Sequence, residues 1–321
     1  MGRRIADKYE IYKVEANARF DQLKANEEEL NRIFIDIYGL GDELTPEVAD
    51  KDVTVARIYD TKEEIPESMK GNNYVLTKAD VVKSLLSYAV GCMFGRYSLD
   101  VEGLAYAGGE WDDSKYTTFY PDADNILPIT DEAYSQDDIV DFFAAWVEKA
   151  YGEDTLEENL AFIADALGTK GTGSRDRIRA YFLKDFYKDH VKTYKKRPIY
   201  WLYDSGKQNG FKALIYLHRY NADTTGRVRA DYLHRIERIY ETEIARMTED
   251  IESSDNAREI GKATKRREKL QKQLKECQAY DEQIAAPALA RINIDLDDGV
   301  KVNYDKVQTV QGKKYNMLAK I

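Results

Sequence analysis

The chain has few of the residues that reaction centres are commonly built from. Among its 321 residues are two cysteines, three histidines and six prolines, and no two prolines are adjacent. Cys92 and Cys277 lie far apart, each inside an apolar helical pattern. They are expected to be buried free thiols rather than a disulfide. So few Cys and His leave no zinc site to build. His190, His218 and His234 come without a Cys nucleophile or a dense group of carboxylates, and are expected to be ordinary polar or interfacial side chains. No run of about 18 apolar residues is present, so no membrane span or membrane partner is expected. The opening MGRRIADKYE has neither the apolar core of a signal peptide nor the Ser/Thr near position six of a myristoylation signal. A cytoplasmic location is expected.

Charge and tyrosine are plentiful. Charged residues make up 33% of the chain, apolar residues 43%, and there are 24 tyrosines. The length suits one large or two ordinary domains. The net charge of −10 is unevenly spread. Arg175 to Arg238 carries 16 Lys/Arg against 7 Asp/Glu, a local +9, and includes all three histidines. Asp100 to Asp165 is strongly acidic. The whole-chain charge argues against a general nucleic-acid binder, while the local patch allows one contact face.

The apolar spacing predicts a mainly α protein with small β elements: a helical domain, a strand pair and a long antiparallel helical hairpin. Ile5 to Tyr38 reads as one amphipathic helix ended by Gly39 and Gly41, and Lys51 to Asn73 as a loop or short strands. Thr77-x-x-Asp80, Ser135-x-x-Asp138 and Thr155-x-x-Glu158 read as helix starts, and Ser174 as the cap of another helix. The helix after Thr77 is apolar on most sides and should be buried, and Leu99 to Thr130 reads as an ordered loop. Arg197 to Asn221 holds two aromatic-rich strands around a polar turn, Asp204 to Gly210. Gly226 to Ala286 reads as the hairpin, turning at Ser253 to Asn256 and stopped by Pro287. Ile292 to Tyr304 alternates around Asp297-Asp298-Gly299 like a β-hairpin, and Gln311 to Ile321 reads as a structureless basic tail. The expected organisation is 1–170 (helical, with the acidic loop), 171–225 (basic helix and strand pair), 226–286 (helical hairpin) and 287–321 (β-hairpin and tail).

Several motifs dissolve on inspection. Gly168-Thr-Lys-Gly171-Thr-Gly173 follows a helix rather than a strand and lacks the Gly-Lys-Ser/Thr ending of a phosphate loop. Asp295 to Gly299 has its glycine one residue early for an EF-hand and no closing Glu. Glu110, Asp112, Asp113, Asp122 and Asp124 could approach a metal, but nothing fixes their geometry. The basic group is the better candidate: Lys and Arg neutralise phosphates, and interleaved Tyr and Trp can stack or pack. Lys192, Lys195, Lys196, Arg197, Lys207, Lys212 and Arg219 are the candidate DNA-binding residues. The bland alternative is a solvated face that balances the acidic half.

Four stretches carry a resemblance: FDQLKANEEELNRIFIDIYG from Phe20, SYAVGCMFGRYS from Ser87, GLAYAGGEWD from Gly103 and DLDDGVKVNY from Asp295, together with Arg197 to Asn221. The chain resembles the C-terminal part of the PglX family, the adenine-specific DNA methyltransferases of BREX phage-defence systems. In that family a Rossmann-like methyltransferase domain and a target-recognition region come first. S-adenosylmethionine is the cofactor, and an Asn/Asp-Pro-Pro-Tyr/Phe tetrad grips the flipped adenine. This sequence has no paired prolines and no strand leading into a Gly-rich cofactor turn. The resemblance therefore implies a non-catalytic domain, inactive alone and holding no cofactor, from an expressed fragment or a truncated gene. It would support DNA binding and target recognition. Its expected partners are duplex DNA through its backbone, the upstream methyltransferase and recognition domains, and other BREX proteins. The alternative is a protein-interaction scaffold of a defence complex without direct DNA contact.

Overall fold

The computed structural model describes residues 3–134 and 137–321. Helix α1 (Ile5–Tyr38) buries Ile5, Tyr9, Ala16 and Phe20, all in its first half. Gly39 ends it in the left-handed conformation, and Leu40 N–H reaches back to the Ile35 carbonyl. Strands β1 (Arg57–Tyr59) and β2 (Val75–Thr77) then pair in parallel. Thr77 opens α2 (Lys78–Met93) with the anticipated capping box, its N–H donating 2.8 Å to the Asp80 carboxylate. Val82, Leu86 and the turn from Ala89 to Met93 are buried, as the apolar pattern requires. The stretch 99–126 is an ordered loop that runs into β3 (Leu127–Pro128).

Four helical pieces follow: α3 (Ile139–Tyr151), α4 (Leu156–Leu167), α5 (Ser174–Tyr181) and, beyond a π turn at Phe182–Phe186, α6 (Tyr187–Thr193). Their start signals need correction. Ser135 lies outside the described residues, and α3 is capped by Asp138, which accepts from Val140 and Asp141 N–H. The same carboxylate takes both arms of Arg179 at 2.6 and 2.7 Å, so one buried ion pair ties α3 to α5. Thr155 does not cap α4, because its hydroxyl reaches carbonyls including those of Arg3 and Gly152. Gly173, not Ser174, holds the cap position of α5.

Strands β4 (Tyr200–Asp204) and β5 (Lys212–Tyr216) form the expected pair, and β3 adds to give the antiparallel order β3-β5-β4. Side chains alternate across a strand, and here both faces are buried. Tyr200, Leu202, Leu214 and Tyr216 join the core formed with α2 to α6. Trp201, Tyr203, Ala213 and Ile215 join a second core formed with the helices that follow.

Those helices are α7 (Thr224–Arg227), a π turn at Val228–Leu233, α8 (His234–Ser253) and α9 (Ala257–Ala290). The antiparallel hairpin is as read, with Asn256 capping its second arm. Pro287 does not stop that arm, and α9 runs through it to Ala290. Pro287 leaves the Gln283 carbonyl without its i+4 donor, and burial of Ile284, Pro287 and Ala288, with α7 packed on α9, holds the turn despite that loss. Residues 292–304 are not a β-hairpin. Asp295 caps a 3-10 turn (Leu296–Asp298), and Gly299, at φ 80, leads into α10 (Val300–Val307). Asp297 and Asp298 thus sit at a helix N-terminus, where the dipole favours negative charge. The tail is not structureless either. Strands β6 (Thr309–Val310) and β7 (Lys313–Lys314) pair, and Met317 and Leu318 are buried along the free edge of β4. There Asp204 N–H donates to Met317 and Ala319 N–H to Leu202. The tail covers what would be an open sheet edge.

The β4–β5 turn meets α9 so closely that only glycine fits at position 210. A Cβ there would lie 2.7 Å from the Gln273 carbonyl and 2.9 Å from Cys277 Sγ. Gly210→Ala is expected to destabilise the protein by about 1–3 kcal/mol through overpacking. Thermal unfolding checks this as a lowered midpoint.

Candidate nucleic-acid interface

The basic cluster forms at the end of α6. Lys196 N–H donates to Val191 (2.9 Å), Lys195 N–H to Lys192 (3.1 Å) and Arg197 N–H to Tyr194 (2.9 Å), so the turn is closed by its own backbone. Lys195 (φ 48) and Lys196 (φ 62) are both left-handed. Each non-glycine residue held there costs about 1–2 kcal/mol, so the strain is borne by two lysines in succession. Lys192, Lys195, Lys196 and Arg197 are exposed, and none of them forms an ion pair with another described residue. Pro198 and Ile199 behind them are buried and lead directly into β4. The cations thus stand on a rigid base.

Beside this turn lies an open groove of about 520 Å³ between α2 and α6. Lys62, Lys83 and Lys192 line it together with the carboxylates Asp80 and Asp189, as do Ser84, Ser87 and Thr193. Lys83 pairs with Asp189 at 3.0 Å. Sequence reading missed Lys62 and Lys83, because only the fold brings positions 62, 83 and 192 together. Under the turn, His190 is buried between Tyr194 and Tyr200, with ring centroids 4.6 Å from each. Its Nε2 accepts the Tyr200 N–H at 3.1 Å, which pins α6 to the sheet.

The other candidates are placed elsewhere. Lys207 is exposed on the β4–β5 turn, at the opposite end of a strand roughly 16 Å long. That turn is gripped by Glu276 of α9, which accepts from Ser205 Oγ and from Gln208 and Gly210 N–H. Lys212 is corrected to a structural role. It is buried, its Nζ donating 3.1 Å to the Leu183 carbonyl with Asp204 at 3.6 Å. Its period-2 register with Leu214 and Tyr216 was the signal for an inward side chain. Arg219 is also occupied within the fold. Its guanidinium donates to the Asp122 and Ala123 carbonyls at 2.7 and 3.0 Å and lies 4.6 Å over the Trp111 ring. Sequence offered no sign of this.

Comparison with known proteins finds relatives. Over 303 residues, 94% of this chain, it is 46% identical to "Adenine-specific methyltransferase PglX" of Lacticaseibacillus casei (strain Zhang), and covers 24% of that protein. It is 37% identical over 300 residues to "Adenine-specific methyltransferase BrxX" of Escherichia coli O9:H4 (strain HS), covering 25% of it. The chain is homologous to one region of the PglX and BrxX adenine-specific methyltransferases. It spans about a quarter of the length of the curated relatives it matches. No family model matches it.

Within this PglX-type segment the acidic loop is structural. Asp122 and Asp124 both accept from Ile126 N–H, and Tyr232 donates to Asp124 at 2.8 Å. Burial, with Asp124 beside it, pushes the Asp122 carboxyl well above the usual carboxylate range. Asp112 takes the Ser114 N–H, and Asp113 accepts from the Trp111 indole at 2.7 Å. Among the described residues no three Cys, His, Asp or Glu side chains gather as a metal site. His234 is bound to Asp281 at 2.8 Å, apart from the buried His190. Cys92 and Cys277 are buried free thiols in different cores. No helix among the described residues is long and apolar enough to cross a membrane.

Burial pushes the His190 imidazole down to about 3. The native state keeps it neutral, whereas the unfolded chain binds a proton below about 6.5. Its contribution to stability is therefore present above about pH 6.5 and is lost as pH falls towards 3. His190→Gln keeps an acceptor but removes the titration. The melting midpoint of the wild-type protein should fall more steeply between pH 7 and 4 than that of the variant. Parallel curves would contradict the assignment.

Proposed function

We propose that the chain is a non-catalytic, C-terminal segment of a BREX-type adenine-specific DNA methyltransferase, and that it holds duplex DNA by its phosphate backbone. Lys192, Lys195, Lys196 and Arg197 make the contact. The observation that carries this reading is the turn at residues 194–197. A fold that holds two adjacent lysines in a strained backbone, exposed and without carboxylate partners among the described residues, presents charge to something outside itself. Phosphate contacts of this kind position a protein on DNA and carry no base information. The upstream methyltransferase and target-recognition domains supply the sequence reading, the S-adenosylmethionine and the chemistry of phage defence. Lys207, at the far end of β4, contributes only where the duplex runs the length of the sheet.

Anisotropy of a labelled duplex over a range of salt tests this. For the wild-type chain, log K should fall linearly with log salt. A variant with Lys195, Lys196 and Arg197 each changed to Glu should bind more weakly, with a slope shallower by about 0.9 for each phosphate it no longer neutralises. Lys195→Gly with Lys196→Gly separates charge from folding. Glycine relieves the left-handed strain, so the melting midpoint should hold or rise while DNA affinity falls. Equal affinity and slope in wild type and variants would remove the proposal.

A further inference from the structure

The distal half of α1 carries an apolar face that nothing in the described protein covers. Leu30, Ile33, Phe34 and Ile37 follow the i, i+3, i+4, i+7 spacing of one helix face. Their exposures are 53%, 44%, 54% and 67%. Tyr38 and Leu44 continue the stripe at 69% and 53% exposed, and the Phe34 and Tyr38 rings stack at 6.4 Å. Past Phe20, α1 has no buried residue.

This half of the helix is nevertheless held. Asn31 donates to the Pro46 carbonyl, Val48 N–H donates to Glu28, and Lys24 bonds Asp50 at 2.7 Å. The returning chain packs on one side of α1 and leaves the apolar side outward. A stripe this long, on a braced helix, has the form of a helix presented to a groove.

Charge and length select the occupant. Residues 25–44 hold six carboxylates, Glu27, Glu28, Glu29, Asp36, Asp42 and Glu43, against the single cation Arg32. A second copy docked stripe to stripe would set like charges against each other, and the charge instead suits an apolar groove with a basic rim. The relatives also carry about three times as much polypeptide as this segment covers. We propose that the Leu30–Leu44 stripe is the surface on which this segment docks against the remainder of a PglX-type methyltransferase. The inference rests on the family reading and is independent of whether the basic turn touches DNA.

Cysteine accessibility tests it without DNA. Cys92 and Cys277 are buried and their thiols are pushed up, so an added surface thiol dominates maleimide labelling of this chain, and in the full-length protein labelling is read at the introduced cysteine by peptide mass spectrometry. Phe34→Cys and Ile37→Cys are each made in the 321-residue chain and at the corresponding positions of the full-length Lacticaseibacillus casei methyltransferase. The equivalent of Ile11→Cys, at an exposed site on the packed half of α1, is the control. Labelling at 34 and 37 should be fast in the chain and at least about tenfold slower in the full-length protein, with position 11 alike in both. Circular dichroism checks that each variant keeps its helices. Equal labelling in the two contexts overturns the proposal. So does a dimer of the wild-type chain, seen by light scattering, that Phe34→Glu converts to monomer, because the occupant would then be a second copy. Failure of the DNA experiment would leave this outcome unchanged.

Discussion

The two main cores of this fold hang on three short strands whose two faces are both buried. Tyr200 and Leu202 project into one core and Trp201 and Tyr203 into the other, one residue apart on the same strand. Most small antiparallel sheets keep one face wet. Here the sheet is the septum between a helical layer built from α2 to α6 and a second built from α7 to α10. Its hydrogen bonds are shielded on both sides, and its outer edge is closed by the tail. Several buried polar groups at the sheet are matched: Lys212 with Asp204 and the Leu183 carbonyl, Asn125 with the backbone of Tyr216, Tyr240 with the Gly210 carbonyl; the Trp201 indole N–H has no partner among the described residues.

That septum also explains why the exposed turn at residues 194–197 can be rigid. His190 ties α6 to the first residue of β4, and Pro198 and Ile199 leave no slack between the turn and the sheet. Arg219, just past β5, is used within the fold. Its guanidinium donates to main-chain carbonyls of the acidic loop, while the Asp122 and Asp124 carboxylates of that loop accept from Ile126 N–H and Tyr232. The charge asymmetry of the sequence therefore divides by location. Some cations are consumed in holding acidic segments, and those on the 194–197 turn are left outward.

Local signals carried most of the secondary structure. The 3.6 spacing from Ile5 to Tyr38, the capping box at Thr77 and the aromatic alternation either side of Asp204–Gly210 all formed the elements they describe. Where the reading failed, a longer-range contact had outweighed a local preference. Pro287 stays helical because its turn is buried against α7. Residues 292–304 alternate like a strand but have no strand beside them to pair with, and Asp295 and Gly299 instead start a helix. The tail looks disordered until the open edge of β4 is there to receive Met317 and Leu318. The candidate site divides in the same way. Lys192 to Arg197 stayed together because they are adjacent in sequence. Lys207 was carried to the other end of the strand, and Lys62 and Lys83 were brought in from sequence positions too distant to be seen together.

If the sheet joins the two layers into one body, they must lose structure together. Native-state hydrogen exchange measures this most directly, by following amides of α4 in one layer, α8 in the other and β5 between them under rising denaturant. The slowest amides of all three should converge on a single opening free energy, equal to that of global unfolding. An α8–α9 hairpin that opened several kcal/mol below β5, with α4 still protected, would show two independent units and contradict the account.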